Sequence, residues 1–114
     1  MPNGLVVAMT TCANLEQAER LARLLVEQRL AACVTIGQVV RSIYPWEGQV
    51  NADEEVPLMI KTAPERAAEL KRAIDEHHPY EVPELLLVDV DDGLEAYVDW
   101  ARNWVQVETR RDTE

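Results

Sequence analysis

Apolar residues first cluster in "GLVVAM", where Leu5, Val6, Val7 and Ala8 follow one another without a polar break. A short unbroken apolar run with β-branched residues predicts a strand, here about Leu5 to Thr10. The period then changes. Ala18, Leu21, Ala22 and Leu25 recur three and four residues apart, the spacing of one helix face. Asn14 precedes them as an N-cap, with Gln17 three residues on to complete a capping box. Glu16–Arg20 and Glu19–Arg23 are favourable i,i+4 pairs. The predicted helix runs from Leu15 to about Leu30.

β-Branched residues return from Cys33 to Tyr44 and from Val56 to Thr62. "YPWEGQ" between them carries Pro45 and Gly48, so the two stretches read as arms of a long hairpin. Alternation falters at Gly37–Gln38, which predicts a bulge or bend. Pro57 cannot donate a ladder hydrogen bond, so the second arm is expected to be kinked or unpaired there. A second helix is predicted from Pro64 to about His77, with Ala67, Leu70 and Ile74 as its stripe and Pro79 as its stop. About Leu85 to Val90 reads as a last strand. Asp92 and Glu95 repeat the capping-box spacing. Leu94, Tyr97, Val98, Ala101, Trp104 and Val105 then line one face of a final helix. "ETRRDTE" reads as a frayed polar tail, about 108–114.

The order β-α-β-β-α-β plus a C-terminal helix is the split βαβ, ferredoxin-like pattern of an α+β fold, with both main helices on one face of an antiparallel sheet. A sheet with one wet face should alternate apolar and polar positions. The first and last strands do not: Leu5, Val7 and Met9 are apolar, and so are Val6 and Ala8; Leu85 and Leu87 share a strand with Leu86 and Val88. The main helices cover one face. The C-terminal helix is expected to cover part of the other, and a second copy of the chain the rest. Lengths make the same demand. The arm from Cys33 to Pro45 reaches about 43 Å at roughly 3.3 Å per residue. The helix from Leu15 to Leu30 reaches about 24 Å at roughly 1.5 Å per residue. The arm therefore overhangs, with Ile43, Tyr44 and Trp46 at its far end.

The chain of 114 residues is read as a single domain, 1–114. A formal net charge of −10 turns away nucleic acid and anionic lipid as partners. No apolar run approaches the roughly 20 residues that span a bilayer. The N-terminus lacks a basic segment before its apolar run, so no signal peptide and a cytoplasmic location are expected. Cys12 and Cys33 are then reduced thiols.

With four glycines, the chain has no glycine-rich phosphate loop, and GxSxG, CxxC and HExxH are absent. No catalysis is expected. Both histidines, His77 and His78, stand side by side at a helix end in "DEHHPYEVPELLL". Their side chains leave a helix about 100° apart, so they do not grip one ion as an i,i+4 pair does. An imidazole there also suits the helix dipole. A metal site would need help from Cys12, Glu81, Glu84 or another subunit, and imidazole suits copper or zinc. Cys33 reads as a buried structural thiol, and Cys12 as an exposed residue just past the first strand. Lys61 is either a solvated edge residue or the cation of an anion-binding pocket. Tyr44, Trp46 and Tyr80 are aromatics at turns and strand ends, read as packing or interface groups.

"LAACVTI", "SIYPWEG", "LMIKT", "HHPYEVPELL" and "YVDW" occur in that order. With these motifs the chain resembles the CutA divalent-cation tolerance proteins, from the first strand to about Trp104. The resemblance implies a ferredoxin-like subunit in a compact homotrimer, similar in architecture to the nitrogen-regulatory signal proteins, with a long bent hairpin exchanged between subunits. It implies a link to tolerance of copper and other divalent ions, and no established enzymatic activity. Copper binding in the family is attributed to paired histidines, which match His77 and His78, and to a cysteine ending the first strand. Here Thr10 holds that cysteine position and Cys12 lies two residues further on. Pro57 also departs from the family pattern. Three roles follow: a trimeric protein binding Cu²⁺ through His77, His78 and Cys12; a signalling module taking a small anionic ligand in inter-subunit clefts near Lys61, Tyr80, Glu84, Tyr44 and Trp46; or a scaffold without a ligand.

Overall fold

The computed structural model describes residues 4–106; the tail expected at 108–114 lies outside them. The elements are β1 (Leu5–Cys12), α1 (Leu15–Glu27), β2 (Cys33–Ile36), β3 (Val40–Trp46), β4 (Gln49–Thr62), a 3-10 turn (Pro64–Arg66), α2 (Ala67–His77), β5 (Leu86–Val90) and α3 (Glu95–Val105). The strands pair antiparallel in the order β2-β4-β1-β5, and β3 continues the ladder on the outer half of β4. This is the ferredoxin-like α+β arrangement, drawn out to 55 Å by the β3–β4 ribbon.

α1 starts as its sequence dictates: the Asn14 side chain accepts from the Gln17 amide at 2.9 Å, and Gln17 accepts in return from the Ala13 amide at 3.2 Å. Its expected end at Leu30 is too late. The helix closes at Glu27, and Arg29 turns the chain with φ 61°, a left-handed conformation usually given to glycine. Other groups hold Arg29 there. Its guanidinium lies 3.9 Å from the Trp104 ring centre, and its carbonyl accepts from Arg66 Nε at 3.3 Å.

The hairpin bends where the sequence predicts and differs from expectation in its second arm. The first arm is broken into β2 and β3, because the chain bends at Gly37, whose amide donates to the Pro57 carbonyl at 2.9 Å. The second arm begins at Gln49 rather than Val56. Its polar outer half forms a strand by pairing with β3, from Val40↔Glu55 to Trp46↔Gln49. Glu47 and Gly48, both at positive φ, make the two-residue turn between them. The expected Asp92–Glu95 capping box does not form. Asp92 accepts from its neighbour Gly93 at 2.9 Å instead, and α3 begins after an uncapped Leu94.

One face of the sheet is closed. Ala8, Cys12, Val56, Leu58 and Ile60 pack against Ala18, Leu21 and Leu25 of α1 and Leu70, Ala73 and Ile74 of α2. α3 covers only one end of the other face, where Ala101 and Val105 meet Leu5, Ala32 and Ala63. It is anchored by Arg102, which donates to the Gly4 carbonyl at 2.8 Å and to Glu65 at 2.6 Å, and by Trp104 Nε1 on the Val26 carbonyl at 2.9 Å. Beyond α3 the face is open. Met59, Met9 and Leu86 stand in register across β4, β1 and β5, and Met59, Leu86 and Val88 are each about half exposed (48%, 57% and 51%).

Candidate functional site

α2 stops because Pro79 follows, and His78 leaves the helix in an extended conformation with ψ 134°. This rotation separates the two histidines. His77 is exposed, its Nε2 3.8 Å from Glu76 Oε1. His78 is buried, with both ring nitrogens engaged: Nε2 lies 2.7 Å from the Thr11 carbonyl oxygen, and Nδ1 accepts from the Tyr80 amide at 3.1 Å.

Cys12 is not past the strand and exposed. β1 runs two residues longer than expected, its register with β4 ending at Cys12↔Val56, and places this thiol in the core. Its Sγ lies 4.0 Å from His78 Nε2. Burial, helped by the charge of Glu55, pushes the thiol up to about 11, so it stays protonated at neutral pH. Cys33 is only part-buried, on the open side of the sheet opposite Lys61.

From Tyr80 the chain runs along a groove between the loop to β5 and the β3–β4 ribbon. Tyr80 OH donates to Glu55 Oε2 at 2.9 Å, and Thr11 Oγ1 donates to the same oxygen at 3.0 Å. Burial first, then the Glu55 hydrogen bond, pushes the Tyr80 phenol well above its ordinary value. Tyr44 donates to Asp53, which raises its phenol too. The groove, about 790 Å³, is lined by Tyr44, Trp46, Tyr80 and Pro83, with Asp53, Glu54, Glu55, Glu81 and Glu84 around them. Of the expected cleft residues it brings together Tyr44, Trp46, Tyr80 and Glu84. Lys61 is absent from its lining; it donates to Thr35 Oγ1 at 2.5 Å on the open sheet face.

Sequence reasoning missed Glu55 and Asp53, the centre of this groove. Their signal was alternation: two apart on one strand, they share a face with Ser42 and Tyr44 across the ribbon. The polar run hid the strand that would have made the signal readable.

The residues expected to hold copper do not form a ligand set within one chain. His77 points away, neither His78 nitrogen offers a free lone pair, and Cys12 is a buried thiol. Among the described residues no three His, Cys, Asp or Glu side chains converge on a point where an ion could be held. Nor is any described helix long and apolar enough to cross a membrane.

Known proteins share this architecture. The chain is 41% identical over 96 residues to the divalent-cation tolerance protein CutA of Thermus thermophilus, covering 84% of this chain and 93% of that one. It is 39% identical over 102 residues to human Protein CutA, covering 90% of this chain but only 57% of the human protein's length. The crystal structure of CutA from Xylella fastidiosa superposes with a TM-score of 0.88 at 34% identity, over 90% of this chain and 99% of that one. The family model described as CutA1 divalent ion tolerance protein matches residues 6–104. The chain belongs to the CutA1 divalent ion tolerance family.

Proposed function

We propose that this chain is a divalent-metal tolerance protein that works as a homotrimer in the cytoplasm and binds Cu²⁺ or similar ions without catalysis. The observation that carries the assembly is the open sheet face. Met59 on β4 and Leu86 and Val88 on β5, with β1 between the two strands, stand about half exposed, and Tyr97 and Trp100 of α3 are exposed as well. A continuous apolar patch across several strands marks an association surface. The outer edge of β3, which pairs with no other strand among the described residues, calls for a partner strand as well. A second copy meets both needs, and the resemblance to CutA favours three copies. With no three-donor cluster among the described residues, tight ion binding in this reading draws ligands from more than one copy, with His77 as the exposed imidazole. Calorimetry with Cu²⁺ on wild type and His77→Ala tests this: weaker binding by the variant supports it, and equal binding overturns it.

The groove favours a second reading, a small ligand held between Tyr44, Trp46 and Tyr80. Its chemistry reverses the sequence-based expectation. Five carboxylates line it and Lys61 stands elsewhere, so a cation is the better occupant than an anion. Thermal shifts with polyamines but not with nucleotides would support this reading, and no shift with either would favour the ligand-free scaffold.

A further inference from the structure

His78 lies at the meeting point of β1, the loop after α2 and, through Tyr80, β4. A backbone amide only donates, so the Tyr80 N–H at 3.1 Å requires a lone pair on His78 Nδ1. A backbone carbonyl only accepts, so the Thr11 oxygen at 2.7 Å requires a hydrogen on Nε2. The two contacts together fix one tautomer of the neutral ring. They also use up the ring's capacity. A metal ligand must present a free nitrogen lone pair, and the only lone pair is already given to the Tyr80 amide. Moving a metal onto Nδ1 would strip that amide of its acceptor, beside a ring only 6% exposed. Taking Nε2 would remove the hydrogen that satisfies Thr11. Cys12, the neighbouring sulfur at 4.0 Å, is wholly buried and offers no opening from solvent.

We infer that His78 is a positioning residue, a neutral imidazole locked as the Nε2–H tautomer, that fixes the wall of the acidic groove to the end of β1 and is not a ligand for copper or any divalent ion. The consequence runs through Tyr80. The ring of His78 packs at a tilt of 57° against that of Tyr80, with centroids 4.7 Å apart, and its Nδ1 holds the Tyr80 amide. The phenol is thereby aimed at Glu55, where Thr11 already donates. One side chain thus ties the loop of Tyr80, Glu81, Val82, Pro83 and Glu84 to the sheet and sets the groove's width. The adjacency of His77 and His78 in sequence, which invites a metal reading, is undone by the single extended residue that ends α2.

The inference stands whether or not the chain trimerises or takes up copper, because the tautomer is read in metal-free protein. The test is long-range ¹H–¹⁵N correlation of the histidine rings in the full chain, before and after adding Zn²⁺. The expected spectrum shows His78 protonated on Nε2 and bare on Nδ1, with neither nitrogen displaced by Zn²⁺. An Nδ1–H tautomer, or a Zn²⁺-induced shift of either His78 nitrogen, overturns it. Amide exchange gives a second reading. The Tyr80 amide is expected to exchange at least about tenfold faster in His78→Ala than in wild type. His78→Asn, whose carbonyl takes the place of Nδ1, should restore protection. Unchanged protection in His78→Ala contradicts the inference; if that variant fails to fold, the wild-type spectrum still decides.

Discussion

A β-carbon placed on Gly37 would stand 2.9 Å from Cγ of Pro57. The same two residues share a hydrogen bond, from the Gly37 amide to the Pro57 carbonyl at 2.9 Å, where β2 gives way to β3. The bend of the ribbon is thus built from a missing side chain on one strand and a rigid ring on the other.

Gly37→Ala is therefore expected to lower stability by about 1–3 kcal/mol, the usual cost of forcing extra atoms into a packed contact. Chemical denaturation measures it. Pro57→Ala removes the opposing ring, so the double variant should recover part of the loss. Additive effects in that cycle would show that the contact does not set the bend.

Cys12 makes stability depend on alkaline pH. In the unfolded chain the thiol ionises near 9.0, and in the fold burial raises this to about 11. The folded state therefore keeps a proton that the unfolded state releases. The stability it contributes is complete below pH 9 and is lost as pH rises through 11. Denaturation between pH 8 and about 11 should show a steeper fall for wild type than for Cys12→Ala. Parallel curves would contradict the burial of this thiol. At neutral pH a thiol reagent should label Cys33 well before Cys12.

Glu55 gathers two donors on one oxygen, from Thr11 and Tyr80. Glu55→Ala is expected to cost about 1–3 kcal/mol, since both hydroxyls lose their acceptor in a part-buried site. Tyr80 should then ionise at lower pH, moving toward the ordinary tyrosine value without reaching it, because burial remains the larger cause of its shift. Ultraviolet absorbance titration of the phenols checks this. A Tyr80 titration unmoved by the change would mean that the hydrogen bond does not form.

The sequence made some of this fold readable, for identifiable reasons. α1 combines a helical apolar period with Asn14 and Gln17 at capping distance, and both side chains do what that spacing asks. The unbroken apolar runs of β1 and β5 marked strands and also exposed the need for cover on the open face. What stayed hidden depends on partners distant in the chain. Asn51, Asp53 and Glu55 are strand residues only because β3 lies beside them. Asp92 has two ways to spend its carboxylate, and the nearer one, on Gly93, wins. The fate of His78 turns on one backbone angle, and Cys12 is buried because the β1–β4 register carries the strand two residues further. The groove joins residues from β1, β3, β4 and the loop before β5, and no local pattern brings these together.

Assembly is the central claim, and the open face of Met59, Leu86 and Val88 is its basis. Native mass spectrometry of the full chain tests it most directly. The account predicts a species of three times the 12.9 kDa chain, with no folded monomer at micromolar concentration. It also predicts that Leu86→Glu, which sets a charge in the middle of that face, breaks the trimer down. A well-folded wild-type monomer, or a trimer indifferent to Leu86→Glu, would contradict it.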